Sequence, residues 1–264
     1  GAKDKAEAAM QLLQTLHGAG GAPAGHGLTQ TDVDTNKGYY SVCPIPGKPI
    51  RMIVLDSTDA ALASPGIAQQ GSMDQAQYDW LEEELWSASA AGELVIVVTH
   101  HRLEEFHAQS EVPAEALEAL LGSSENVILH LTGHGHNNTA SVKSLNGDRG
   151  YWELMGPSTI DFPLQSRVVE LVDEKNGYLS IYVTNFDHNS AAGTLADKAR
   201  QIAAGRLAFG TTFFAGDTVA FWAEDVQAQN LLLRVVLPAS VSSKLATYDD
   251  WPTTVESVST LANF

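Results

Sequence analysis

The apolar positions of the chain fall into two periodicities, which separate strands from helices. The run Leu94 to Thr99 has no polar face, and the run Val127 to Thr132 is similar, which is typical of strands buried on both faces of a parallel sheet. Positions 113–121 predict the crossover helix that parallel neighbours require. Apolar residues at helical spacing also predict a helix over 73–90, with a capping box that begins at Ser72.

The rest of the chain consists of short β-rich segments and two further helical segments. After residue 137, Asn-Gly and Gly-Pro turn signals predict an antiparallel meander that forms a second sheet. The predicted elements are a helix at 3–16, strands at about 38–43, 50–56, 138–143, 151–155, 166–173 and 178–185, and a helix at 191–208. The tail from Thr211 onward is ambiguous between helices and short strands.

Both buried runs end in histidine: His100 and His101 follow the first, and His134 and His136 follow the second. The carboxyl ends of neighbouring parallel strands meet at one edge of a sheet, where ligands bind. Neutral imidazole is the commonest metal ligand, and several converging rings would hold a borderline divalent ion such as Zn²⁺, Mn²⁺ or Fe. We expect the two glycines of the Gly-His-Gly-His segment to allow the sharp turn that brings both flanking imidazoles to one side.

These two motifs resemble a known family. Gly133-His134-Gly135-His136 after one strand, with Val97-Val98-Thr99-His100-His101 after another, is similar to the last two signature motifs of the calcineurin-like metallophosphoesterases. The strands at 38–43 and 50–56 and the helix at 73–90 follow in family order, so that the similarity covers roughly residues 38–186. The resemblance implies an α/β fold that is part of a four-layer α/β/β/α sandwich with mixed sheets.

The resemblance also implies a hydrolase that cleaves phosphomonoesters or phosphodiesters at a dinuclear site. His134 would bind one divalent ion together with His100, and His136 would bind the second ion, with Zn²⁺, Mn²⁺ or Fe as the metal. His101 and Asn137 would orient ligands without binding the ions. Beyond the resemblance, these histidines could still hold a single ion with an open position for water.

Three family motifs are missing from this sequence, namely Asp-x-His, Gly-Asp and Asn-His in the expected positions. No catalytic residue is therefore identified, because the histidine that protonates the leaving group belongs to the Asn-His motif. We expect a division into an N-terminal helix with a Gly-rich connecting loop (1–37), the C-terminal half of a metallophosphoesterase domain (38–187) and a mostly helical extension (188–264). We also expect the chain to be inactive alone and to associate with an N-terminal half polypeptide or in an oligomer, since a sheet without its first strands leaves an open edge.

The amino-acid composition limits the classes of partner that the chain could bind. The chain of 264 residues has 32 acidic and 15 basic residues and a net charge of −17, which argues against binding nucleic acid through a basic surface. Its one cysteine, Cys43, excludes an internal disulfide, and no apolar run is long enough to span a membrane. The sequence leaves the compartment open, with a bacterial cytoplasm or export both compatible.

Structural rather than functional roles are expected for some of these residues. His130, inside a buried run, is expected to be a structural histidine, and Asp56 is expected to cap a turn with its side chain. The alternative to an enzyme is a non-catalytic α/β module whose histidines form a partial or mononuclear metal site. A serine hydrolase has little support, because no Gly-x-Ser-x-Gly motif occurs.

Overall fold

The computed structural model describes residues 2–21, 24–58, 70–146, 149–160, 163–208 and 230–248. The helices in these ranges are α1 (Ala2–His17), α2 (Gln30–Thr35), α3 (Gln75–Ala91), α4 (Ala114–Ser123), α5 (Leu195–Ala208) and α6 (Ala239–Leu245), with short 3-10 helices at Ala24–Gly27 and Leu103–Glu105. The strands are β1 (Tyr40–Val42), β2 (Ile50–Val54), β3 (Leu94–Val98), β4 (Val127–Thr132), β5 (Thr139–Asn146), β6 (Arg149–Met155), β7 (Gln165–Asp173), β8 (Tyr178–Asp187) and β9 (Leu231–Val236).

A six-stranded mixed sheet forms the centre of the fold, in the order β1-β2-β3-β4-β6-β5. Strands β2, β3, β4 and β6 run parallel, while β1 and β5 pair antiparallel at the two edges. The predicted parallel pairing of the two buried runs is confirmed, since Val98 of β3 lies opposite Leu131 of β4. Helix α4 is the crossover between them, as predicted.

The second sheet has three antiparallel strands, in the order β7-β8-β9. The prediction that all four segments after residue 137 form this sheet is wrong, because β5 and β6 join the central sheet. There Leu131 of β4 lies opposite Leu154 of β6, and an alternating pattern identifies a strand without identifying its partner. Region 188–264, for which we expected a mostly helical extension, contributes β9 to this sheet.

Two apolar layers hold the sheets and helices together. Between the sheets, Ile96, Leu129 and Leu154 of the central sheet pack in one buried cluster with residues of β8 and β9 such as Ile181 and Leu233. The opposite face of the central sheet is covered by α3 and α4, whose buried leucines are Leu81, Leu85, Leu117 and Leu121. Burying each such side chain contributes about 1.5–3 kcal/mol. The predicted α/β class with mixed sheets is confirmed.

Local signals explain where α3 begins and ends. Its N-cap is Asp74, whose carboxylate accepts a hydrogen bond from the backbone N–H of Gln77, so the capping box expected at Ser72 is wrong. Ser72 is instead buried. The helix ends at Gly92, which has a φ of 66°, a conformation that favours glycine. No helix within the described ranges has both the length and the apolar character needed to cross a bilayer.

Candidate metal centre

Two loops at the carboxyl edge of the central sheet carry the motif histidines. Strand β3 ends at Val98 and β4 ends at Thr132, so the residues that follow them leave the sheet side by side. The backbone N–H of Gly133 donates to the carbonyl of His100 across 2.9 Å, which ties the two loops together. The convergence of these loops follows directly from parallel neighbouring strands.

His100, His101 and His134 form one cluster, in which a ligand atom from each ring lies within 4.8 Å of the others. The Nε2 atom of His100 and the Nδ1 atom of His134 are 3.2 Å apart. Nitrogen ligands of a tetrahedral zinc ion, at about 2.0–2.1 Å from the metal, lie about 3.3 Å from one another. The His100 and His134 rings are therefore spaced as two ligands of a single ion would be, and the donor set fits a borderline divalent cation.

His101 belongs to this cluster, whereas the sequence predicted that it would orient the ligands without binding an ion. Its ring centroid lies 4.6 Å from that of His134 and 4.8 Å from that of His100. Adjacent side chains point to opposite faces only within a strand, and β3 ends before both histidines, so His100 and His101 can point to the same side. The Nδ1 atom of His101 is hydrogen-bonded to the Ser57 hydroxyl at 2.9 Å, which fixes the orientation of the ring.

Ser57 is a residue of this centre that sequence reasoning missed. It is buried, and its hydroxyl oxygen also accepts the backbone N–H groups of His100 and His101, each at 3.2 Å. Ser57 follows β2, the parallel neighbour of β3, so its position at the same sheet edge was the available signal. One serine thus orients both the ring of His101 and the backbone of this loop.

His136 and Asn137 lie outside the three-histidine cluster. His136 is close enough for its charge to contribute to the lowered pKa of His100, after burial and His134. Asn137 is partly buried, and its side-chain oxygen has no hydrogen-bond partner among the residues that the structure describes. The structure thus brings together His100 and His134 of the predicted ligands and leaves the roles of His136 and Asn137 as predictions.

The turn after β4 is built differently from expectation. His134 and His136, rather than Gly133 and Gly135, adopt the left-handed conformation, with φ of 66° and 56°. Such backbone costs on the order of 1–3 kcal/mol for a residue other than glycine and clusters at functional sites. Gly135 is needed for close approach, because a Cβ there would lie 2.7 Å from the Sδ atom of Met155.

The electrostatics of the cluster favour neutral imidazoles. Burial, followed by the charges of His134 and His100, lowers the pKa of His101 to about 4. Burial and the charge of His134 likewise lower the pKa of His100 from its ordinary value. At neutral pH these two rings therefore keep the lone pairs that a metal ion requires.

Carboxylates do not complete the cluster within the described ranges of the chain. Asp56, at the end of β2, instead turns back on its own backbone, since its Oδ1 accepts the N–H of Thr58 at 2.9 Å. The predicted turn role of Asp56 is confirmed. Among the described residues, the centre therefore offers nitrogen ligands alone.

Comparison with known proteins gives partial likenesses. No protein-family model and no curated protein sequence matches the chain. A dimetal phosphatase from Danio rerio is 15% identical, with 58% of this chain and 59% of that chain covered and a TM-score of 0.43. A 5′-nucleotidase from Staphylococcus aureus, in complex with alpha-ketoglutarate, is 16% identical, with 64% and 34% covered and a TM-score of 0.38. The sulfate thiohydrolase SoxB of Thermus thermophilus, in complex with glycerol, is 14% identical, with 80% and 29% covered and a TM-score of 0.28.

These three proteins are members of the calcineurin-like metallophosphoesterase superfamily, the family that the sequence resembles. The chain spans between 29% and 59% of their lengths. Because every TM-score is below 0.5 and no identity exceeds 16%, we base the functional assignment on the centre itself.

Proposed function

We propose that this protein takes part in the metal-dependent hydrolysis of phosphate esters. The observation that carries the proposal is the convergence of His100, His101 and His134 at the carboxyl ends of two parallel strands. In this proposal His100 and His134 bind one divalent ion, and His136 contributes to a second ion. Asn137 and His101 hold ligands or substrate in place, with His101 able to serve as a third ligand.

Chemistry at such a centre divides between the cation and the chain. When bound, a divalent cation would polarise phosphoryl oxygens and lower the pKa of a water bound to it to about 7. The chain's part is to hold the imidazoles in fixed positions, which the Ser57 hydroxyl does for His101 and the left-handed backbone does for His134. Zn²⁺, Mn²⁺ and Fe are the metals that such ligands suit.

A dinuclear site needs more ligands than this cluster supplies. Family members take a bridging aspartate and further ligands from Asp-x-His, Gly-Asp and Asn-His motifs, which have no counterpart in the expected positions of this sequence. We therefore propose that an N-terminal polypeptide with those motifs, or an oligomer partner, completes the centre. Without that part, the chain would bind metal and hydrolyse no ester.

The alternative function is a non-catalytic module with a mononuclear metal site. This alternative is favoured by the donor set, since three imidazoles without a carboxylate among the described residues suit one ion with an open position. The two hypotheses agree on metal binding and differ in stoichiometry and in hydrolysis.

The test combines this chain with a polypeptide that carries the three missing motifs. Metal content is measured after dialysis against Zn²⁺ or Mn²⁺, and nitrophenol release is followed with p-nitrophenyl phosphate and bis(p-nitrophenyl) phosphate. The hydrolase proposal predicts two ions per complex and metal-dependent release, both reduced by His134→Ala in this chain. One ion per complex with no release from either ester would reject it in favour of the mononuclear module.

A further inference from the structure

A buried hydrogen-bonded chain runs beneath the candidate metal centre. It begins at Glu153 of β6 and passes through His130 of β4, which lies directly opposite in the parallel pair. Glu153 and His130 are 2% and 0% exposed, and Glu153 Oε2 lies 3.1 Å from His130 Nδ1. The other ring nitrogen, Nε2, lies 2.8 Å from the hydroxyl of buried Thr99.

Counting protons fixes the direction of these bonds. The Thr99 hydroxyl lies 2.6 Å from the carbonyl oxygen of His101, which can only accept, so its single hydrogen is used there. The Thr99 oxygen must therefore accept from His130, which places a proton on Nε2. The bond between His130 Nδ1 and Glu153 then contains one further proton.

The surroundings of Glu153 favour its carboxylate form. The Ser141 hydroxyl donates to its Oε1 at 3.4 Å, and the Lys143 ammonium lies 3.6 Å from the same oxygen. Burial by itself raises the pKa of Glu153, but the hydrogen bond from His130 and the charges of His130 and Lys143 outweigh it and lower that pKa below its ordinary value. The pKa of the Glu153 carboxyl is thus held below its ordinary value, and the bond to His130 Nδ1 shares one proton between the two groups.

We propose that His130 and Glu153 are positioning residues for the metal centre, acting through the Thr99 hydroxyl on the loop that carries His100 and His101. Thr99 is the residue before His100, and its hydroxyl donates a hydrogen bond to the backbone carbonyl of His101. Both backbone and hydroxyl of Thr99 are held by β4, since its N–H also donates to Leu131. The inference rests on the proposed metal binding, and partners of this kind commonly change metal affinity 10–100-fold.

A pair of substitutions at Thr99 isolates the hydroxyl. Thr99→Val keeps the shape of the side chain and removes the hydroxyl. Thr99→Ser keeps the hydroxyl and therefore the hydrogen bonds to His130 and His101. In a Co²⁺ titration followed by visible absorption, we expect Thr99→Val to weaken binding by about tenfold or more and Thr99→Ser to bind within about twofold of wild type. Ser180→Ala is the control, because it removes a buried hydroxyl, bonded to Glu174, from the second sheet.

The outcome that overturns the proposal is equal Co²⁺ affinity for Thr99→Val and Thr99→Ser. A loss in Thr99→Val that Ser180→Ala reproduces would also overturn it, since the effect would then be general destabilisation. Thermal unfolding of each variant identifies any that does not fold, and Glu153→Gln supplies a second probe of the same chain of bonds, with a loss expected in the same direction.

A readout without metal separates this proposal from the proposed function. In protein labelled with ¹⁵N at histidine, we expect the His130 ring to show a slowly exchanging proton on Nε2. We also expect Thr99→Val to shift the ring signals of His101 more than Ser180→Ala does. A His130 ring without a proton on Nε2, or unmoved His101 signals, would overturn the positioning role. Wild-type protein that binds no Co²⁺ while both NMR expectations hold would contradict the proposed function alone.

Discussion

His130 and His134 lie four positions apart in the chain, yet their surroundings are opposite. His130 is fully buried in β4, and both of its ring nitrogens have partners, namely Glu153 and Thr99. His134 is partly exposed in a left-handed turn, where its ring faces the ring of His100. Both nitrogens of the His130 ring are hydrogen-bonded within the protein, whereas the His134 ring lies next to other imidazoles whose lone pairs are available.

The difference shows how one sheet edge combines stability with a binding function. A buried ring with two partners fixes the strand that supports the centre, and removing either partner leaves a buried polar group unpaired. The three-histidine cluster instead carries backbone strain and mutual repulsion of its rings when they are charged. Substitutions in the first region should therefore reduce stability and weaken metal binding only indirectly, whereas substitutions in the second should remove metal ligands directly.

The largest expected effect is on folding. Glu153→Ala leaves the Nδ1 atom of the buried His130 ring without its partner, so we expect the free energy of unfolding to fall by about 3 kcal/mol. Urea unfolding monitored by circular dichroism measures this change. Glu83→Ala, on the exposed face of α3, is the matched control and should change it by less than about 0.5 kcal/mol. A Glu153→Ala protein as stable as the control would remove the distinction between the two regions.

The second effect is on metal affinity. His134→Ala removes a candidate ligand, and we expect it to weaken Zn²⁺ binding by more than about a hundredfold, beyond the range seen for residues that only orient ligands. Isothermal titration against Zn²⁺ measures the affinity, with His17→Ala at the end of α1 as the control. Unchanged affinity in His134→Ala would show that the cluster is not the metal site.

The third effect is on pH dependence in the metal-free protein. The pKa of His101 falls from 6.5 to about 4 on folding, so between these pH values the unfolded chain binds a proton that the folded chain excludes. Stability from this group is therefore complete above pH 6.5 and is lost as the pH falls to 4. It amounts to about 2–3 kcal/mol.

We expect wild type to lose this much more stability than His101→Asn between pH 7 and pH 4. Urea unfolding at half-unit pH intervals gives the two curves. Parallel curves for the two proteins would mean that the His101 ring is protonated as readily in the folded state as in the unfolded chain.

The smallest effect concerns the strained turn. Glycine adopts a φ of 66° without strain, but it loses more conformational entropy on folding than histidine does. We therefore expect the free energy of unfolding of His134→Gly to exceed that of wild type by no more than about 1 kcal/mol. His134→Ala keeps the strain and should be less stable than His134→Gly. Differential scanning calorimetry of both variants tests this order, and a His134→Gly protein less stable than His134→Ala would contradict the strain at this position.

Much of the framework of the centre could be predicted from sequence, because it depends on local pattern. Two apolar runs joined by a helix imply parallel neighbours, and parallel neighbours bring their terminal residues together, as His100 and His134 show. The structural role of His130 was also expected, and its paired ring nitrogens agree with it.

Tertiary features were beyond the sequence. The pattern could not show that β6 inserts between β4 and β5, because apolar alternation is the same for any partner strand. The position of His101 depended on the strand ending at Val98, and element ends are the least predictable feature of a pattern. The contacts of Ser57 and Glu153 join residues distant in the chain, so no local signal contained them.

The most direct test of the central claim is anomalous diffraction from crystals soaked in Zn²⁺, recorded on both sides of the zinc absorption edge. We expect a zinc peak within about 2.1 Å of both His100 Nε2 and His134 Nδ1. Crystals that show zinc only at other positions, or no zinc at this sheet edge, would contradict the claim that these imidazoles share an ion.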